Sequence, residues 1–337
     1  MNIVFHYDCI KALARSAGLE EDEAQTIAYA SQYVDDGQGD QYMTINDLPP
    51  VALPLKQGDD FYQVQTAHST FEMATDGFLR GGARRAVYIS FHFVPKKKPA
   101  LSAADCVVLP DCSWAGELLT AAKADVLNES SESRLPTLIR LGVITHSYAD
   151  TWSHQGFAGL HDGSVNDVHD CQFVKDGTYV PLTGIRSPFP IGHGMASTLP
   201  DESQTTWRYR PREDAEFITR NNTDEFMKPA EVIFRHFCDL TGQTVAFDSI
   251  RDRVQACLAL GQIENSHGPW LKAFPGIKFA YDKDEWQNAA LEPVEPDYSE
   301  PSADSSLTFN AKGDLRWFYF HLAALQQRKA IMGQIRC

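Results

Sequence analysis

Apolar residues recur at helical spacing in several segments of the chain. Residues 7–17 and 20–35 predict two helices parted by Gly18. In the second, Ala24, Ile27, Ala28, Ala30 and Val34 form one stripe behind an acidic start, Glu20 to Glu23, which complements the helix dipole. The same texture returns over 113–129, over 135–158 with Pro136 in the first turn, and over 213–240, 246–264 and 312–335. Residues 40–110 read differently. Pro49-Pro50, the alternation of Phe61 to Gln65 and the aromatic run Val87 to Phe93 predict an insertion of loop and short strands. Residues 159–212, rich in Gly, Pro, Asp and Ser, predict a long loop of the kind that tends to cover sites. A Pro/Glu/Ser-rich stretch at 292–306 predicts a solvated connector. The pattern as a whole predicts one large domain over 1–337, mostly α, bundle-like, with irregular loop and short-strand insertions.

Composition narrows the partners. Thirty Lys and Arg against 45 Asp and Glu leave a formal net charge of −15, which gives no support to a nucleic-acid backbone as partner. The basic run Lys96-Lys97-Lys98 is short and reads as a solvated turn. With 43% hydrophobic and 22% charged residues, wholesale disorder is excluded. No stretch reaches the roughly 18 apolar residues of a membrane span, and the N-terminal segment lacks the pattern of a signal peptide; the expectation is a cytoplasmic protein acting on a small molecule. The seven cysteines include no CxxC pair, so neither a zinc ribbon nor a disulfide framework is indicated.

The chemistry concentrates in Thr145 to Phe157. His146, Asp150 and His154 are spaced i, i+4, i+8, and each step of four turns only about 40° around a helix, so the three share a stripe. Imidazoles and a carboxylate on one stripe suit Zn²⁺ first, then Fe²⁺ or Mn²⁺, and a central carboxylate can bridge two ions. Further donors must come from other elements. His6 near the first helix, Asp35 and Asp36 at the end of the second, His92 in the aromatic run and His193 between two glycines are the candidates. Val168-His169-Asp170 and Glu264-x-x-His267 are weaker patterns: the first lies in loop-like sequence, and the second lacks the second copy that di-iron bundles use. Walker, dinucleotide-binding and Gly-x-Ser-x-Gly fingerprints are absent from the sequence.

The segment from His146 to His154 resembles the central metal helix of the zinc-dependent phospholipase C and S1/P1-nuclease superfamily. Together with Phe5-His6-Tyr7, Ser31 to Asp36 and Ile191-Gly192-His193-Gly194, it looks more closely like a little-characterised bacterial family distantly related to that superfamily. The resemblance covers roughly residues 1–210. It implies a mostly helical metallohydrolase fold and a cluster of up to three Zn²⁺ ions that hydrolyses phosphoester bonds. It further implies that His146 and Asp150 are ligands with Asp150 bridging, that His154, His92, His193 and Asp35 or Asp36 join them, and that His6 replaces an early ligand of the first helix. No His-x-x-x-Glu follows His193, so two ions are expected. The secreted members also ligate metal through a mature N-terminal Trp, whereas this chain begins with Met. The expected activity is hydrolysis of a phosphoester by metal-activated water, oriented or deprotonated by Asp35 or Asp36. The alternatives are a non-haem iron or di-iron oxygenase using the same ligands, and a binding protein on a degenerate metallohydrolase fold.

Overall fold

A computed structural model describes residues 1–39, 42–68, 85–130, 133–183, 189–263, 267–294 and 308–337. The long helices follow the apolar periodicity. They are α1 (Ile10–Ser16), α2 (Glu21–Asp36), α3 (Ser113–Asn128), α4 (Leu135–Ser153), α5 (Asn222–Thr241), α6 (Arg251–Leu260) and α7 (Arg316–Met332). Helix α2 starts on a reciprocal capping box between Glu20 and Glu23, which satisfies donors its first turn would otherwise leave unpaired. Helix α4 starts with Pro136 where a missing N–H costs nothing. It buries nearly its whole surface because α2, α3, α5 and α7 surround it.

The expectation of a mostly α bundle does not hold. Among the described residues 52% are helical and 14% are in strands, which form two sheets. One runs in the order β2-β3-β1-β9-β8, built from Tyr42–Asn46 (β1), Lys56–Gln57 (β2), Asp60–Tyr62 (β3), Leu291–Pro293 (β8) and Thr308–Ala311 (β9). Within the stretch 40–110, β1 pairs in parallel with β9, about 260 residues away in sequence. The second sheet, in the order β5-β4-β6-β7, comprises His169–Lys175 (β4), Thr178–Pro181 (β5), Thr206–Arg210 (β6) and Ile218–Asn221 (β7). Three of these strands lie within the segment read as a loop. Local composition misled there because strands of four to seven residues with one solvated face look like loop until their partners are known.

Two further boundaries differ. The predicted helix over 135–158 ends at Ser153, with His154 as its cap residue. The aromatic run Val87 to Phe93, read as a strand, instead forms a π-helical turn at Tyr88–His92, and a second π-helical turn spans Val4–Cys9. Such turns are rare and concentrate at functional sites because the wider turn re-aims a side chain. Residues 264–266 of the Glu264-x-x-His267 motif and most of the 292–306 connector lie outside the described residues.

Three apolar clusters make the core. One joins α1, α3, α5 and α6 around one side of α4, a second packs α2, α7 and the five-stranded sheet on the other side, and a third lies under the four-stranded sheet. Gly142 lets α2 and α4 close up. A Cβ there would sit 2.5 Å from the Ile27 carbonyl oxygen and 2.7 Å from the Ala30 Cβ, so only glycine permits the approach that brings Asp35 beside His146.

Candidate metal centre

The i, i+4 spacing along α4 does what helical geometry requires. His146 and Asp150 are fully buried, and His154 is 3% exposed one turn further on. Around Asp150 the structure assembles donors from four other parts of the chain. The π-helical turn at residues 4–9 brings the His6 Nε2 to 3.1 Å from one carboxylate oxygen. The turn at 88–92 brings His92 Nδ1 to 3.1 Å from the other, and His146 Nε2 lies 3.2 Å from that same oxygen. The α-amino group of Met1 stands 2.5 Å from Asp150 and 3.1 Å from Asp201. Asp35 approaches His146 Nε2 at 3.7 Å and His92 Nδ1 at 3.8 Å. Beyond Asp150, His154 Nε2 and His193 Nε2 share the Asp201 carboxylate at 2.9 and 3.3 Å.

These donors fall into three groups, the first two sharing His146: His6, His146 and Asp150; Asp35, His92 and His146; and His154, His193 and Asp201. Within each, one atom per residue lies within 4.8 Å of the others.

Four of the five histidines turn one ring nitrogen to a backbone carbonyl. His146 Nδ1 faces Ser31 O at 2.8 Å, His154 Nδ1 faces His92 O at 2.8 Å, His193 Nδ1 faces Ser197 O at 2.9 Å, and His92 Nε2 faces Thr66 O at 2.9 Å. A carbonyl can only accept, so the nitrogen facing it carries the proton, and in the neutral ring the opposite nitrogen presents its lone pair to the cluster. This is the outer partner that orients metal-bound histidines.

Charge state agrees with that division. Burial holds His6 well below the ordinary histidine range, and it lowers His146 and His193 to about 4 despite the nearby carboxylates. Burial alone would raise Asp150 and Asp201, but surrounding histidines and the Met1 amine hold both well below the usual carboxylate range. Asp35 goes the other way: burial and the neighbouring Asp150 and Asp36 charges push it up to about 8, against the pull of His92. The Met1 ammonium is raised to about 11 by Asp150, Asp201 and Asp35, which overcome its desolvation. A cationic group therefore already stands among three carboxylates. His92 departs from the other imidazoles, raised by Asp150 and Asp35 despite its burial. The weakly basic imidazoles of His6, His146 and His193, the ionised Asp150 and Asp201, and a centre that accepts positive charge fit divalent transition metals.

Of the residues expected from sequence, His6, Asp35, His92, His146, Asp150, His154 and His193 converge. Asp36 does not enter any of the three groups; its carboxylate accepts from Gln32 Nε2 at 3.0 Å and Tyr281 Oη at 2.7 Å. It lines a cleft of about 790 Å³ that reaches Met1, Asp35 and Asp201 and is also lined by Tyr281 and Lys283. Asp201 and the Met1 amine escaped sequence reasoning. Asp201 sits on the 3₁₀ turn Leu199–Asp201, and a signal existed only in Pro200-Asp201 closing the segment that His193 opens. The long segment delivers His193 as expected, aided by Gly192 at φ +52°, where a Cβ would lie 2.5 Å from the Phe93 ring. It does not wall the cleft with Trp207, which is fully buried beneath the four-stranded sheet. His169 and Asp170 lie at the start of β4, where Asp170 meets Arg210, and join none of the three groups. His267 pairs with Asp8 at 2.6 Å rather than with the cluster.

Among the described residues no helix is long and apolar enough to cross a membrane. No curated protein and no solved structure matches the chain. A family model does match, over residues 1–335, and the chain belongs to that family, DUF6765, a family of unknown function.

Proposed function

We propose that the protein is a metal-dependent hydrolase of a small phosphoester, with its metal held by His6, His92, His146, Asp150, His154, His193, Asp201 and Asp35. The observation that carries the reading is the set of four carbonyl-tethered histidines whose free nitrogens meet around Asp150 and Asp201. Buried histidines need one partner to satisfy a proton. A second, lone-pair side turned toward carboxylates serves a cation instead.

Zn²⁺, or Fe²⁺ or Mn²⁺ in its place, would supply an acidified water and offset charge on phosphoryl oxygens. The residues of the chain do the rest. Asp150, central to two sets of imidazoles, keeps the donor groups in register, with two ions as the expected number. Asp35, on the cleft side of the centre, divides its carboxylate between ligation and holding a proton. Asp36 is fixed by Gln32 and Tyr281 at the cleft wall and is positioned to orient water or substrate as it enters. Tyr281 is held neutral by burial and by the Asp36 charge, so it acts as donor. The cleft is lined by carboxylates, with Lys283 as an exposed cation. That favours a compact phosphoester that reaches the metal over a long polyanion, which the acidic walls would repel.

Metal content of protein purified without chelators, together with turnover of a panel of small phosphomonoesters and phosphodiesters, tests this. Zinc or manganese near two per chain with phosphoester turnover that His146→Ala abolishes is expected. Near-stoichiometric iron with a visible absorption band and no phosphoester turnover would replace the hydrolase with an oxygenase. Full function in His146→Ala and Asp150→Ala variants would leave a binding protein.

A further inference from the structure

Outside the three groups of metal-ligand donors, two thiols meet. Cys106, fully buried on the 3₁₀ turn Ala103–Cys106, has its Sγ 3.0 Å from the Sγ of Cys337, 231 residues away in sequence. The contact sits in ordered backbone. Ala100 donates to Gln334 O at 3.0 Å and Arg336 donates to Ala100 O at 2.9 Å, so the segment after α7 is bridged to the strand-like residues just ahead of Cys106. Ile335 between them is buried in the main apolar cluster. The two sulfurs are chemically unequal. Cys337 is partly exposed, and the Arg85 guanidinium lies 3.7 Å from its sulfur, whereas Cys106 is enclosed. A thiolate beside a cation and open to solvent is the one that reacts first.

We propose that Cys106 and Cys337 are a reversible modification site that a peroxide converts into an intramolecular disulfide. The Cys337 thiolate attacks one oxygen of the peroxide, forming an S–O bond and breaking the O–O bond, and water leaves once the departing oxygen is protonated. Cys106 then attacks the sulfenyl sulfur. The S–S bond forms, the S–O bond breaks, and the released hydroxide takes the Cys106 proton as a second water. Two electrons pass from the two thiols to the peroxide. Burial and the nearby Cys337 raise the Cys106 thiol to about 12, which suits a resolving thiol that stays protonated until its partner is oxidised. Oxidation would lock the end of α7. That helix holds the metal-bearing elements together, since Gln327 Nε2 donates to Ser90 O and to Ser147 Oγ, each at 2.7 Å.

The test uses the full-length, metal-loaded protein, reduced and then treated with stoichiometric hydrogen peroxide. Free thiols are alkylated and the peptides mapped without reduction. The expected result is a linked peptide joining Cys106 to Cys337 with the other five cysteines alkylated, reversed by dithiothreitol, and a melting temperature higher by about 5 °C, from closing so long a loop in the unfolded chain. In Cys106→Ser the oxidation should stop at Cys337 as a sulfenic acid that a dimedone probe captures one to one. Cys337→Ser should melt at the same temperature with or without peroxide. Intermolecular links in place of the internal one, overoxidation of Cys337 in the wild type, or a melting temperature unmoved in fully bridged protein would each overturn the proposal.

Discussion

Two regions of this molecule draw histidine inward, and they use it differently. On one side of α4, five rings surround Asp150 and Asp201. On the other, His321 of α7 lies in the aromatic core among Trp317, Phe61 and Phe320, at ring separations of 4.6, 5.7 and 5.5 Å. Its Nδ1 accepts from the Val64 amide at 3.2 Å, its Nε2 has no partner, and burial lowers it to about 3. Burial lowers the basicity of His6, His146 and His193 as it does that of His321, so depressed basicity alone does not mark a metal ligand. The direction of the hydrogen bonds separates the two regions. His321 accepts from the backbone, so its lone pair is consumed and its N–H points into apolar rings. His92, His146, His154 and His193 donate to the backbone, so their lone pairs remain free and face carboxylates.

That contrast can be broken by substitution, and the largest effect belongs to Asp150. Asp150→Asn keeps the shape but removes the charge that the Met1 amine and His92 share. Metal affinity should fall by more than the roughly 10–100-fold that loss of an outer partner costs. In metal-free protein, denaturant unfolding should show a loss of about 3–5 kcal/mol, as for a broken buried pair. A variant with native metal content would remove Asp150 from the centre. Removing metal with a chelator comes next. At free metal about 100 to 1,000 times Kd, binding should contribute about 2.7–4.1 kcal/mol, read as a drop in melting temperature on chelation that added Zn²⁺ restores. Equal melting with and without chelator would mean that the donors hold no metal.

His321→Leu gives the opposite signature: about 1–3 kcal/mol lost through the unpaired Val64 amide, with metal content and turnover unchanged. Metal loss in this variant would erase the distinction between the regions. The smallest effect is one of slope. The folded pKa of His321 is lowered from an ordinary value near 6.5 to about 3. Its contribution is therefore intact above pH 6.5 and is lost as pH falls toward 3, because the unfolded chain takes up a proton that the folded one refuses. Between about pH 6 and 4 the stability of His321→Leu should fall less steeply than that of the wild type, by up to about 1.4 kcal/mol per pH unit. Parallel slopes would mean that His321 is protonated in the folded state.

The legible part of the centre was the part carried by one helix. His146, Asp150 and His154 declared themselves because helical repeat converts sequence spacing directly into a shared face. Helix ends were readable too, from the acidic start of α2 and from Pro136. His6 and His92 were legible as residue types but not in their presentation, since both ride on π-helical turns that no periodicity announces. The choice between Asp35 and Asp36 was closed to sequence, as adjacent helical residues point about 100° apart and only the packing of α2 on α4 shows which one faces His146.

The sequence by itself therefore determined the long helices, the single stripe of donors on α4, and the acidic charge balance, because each of these is a local or summed property of the chain. Tertiary structure alone decided the rest. It paired β1 with β9 across about 260 residues, set Asp201 and the Met1 amine beside Asp150, and sent His321 to an aromatic core while five other histidines met at a charged one. The physical reason is the same in each case. A strand, a ligand or a buried imidazole is defined by the group it faces, and that group lies on a distant part of the chain that only folding brings near.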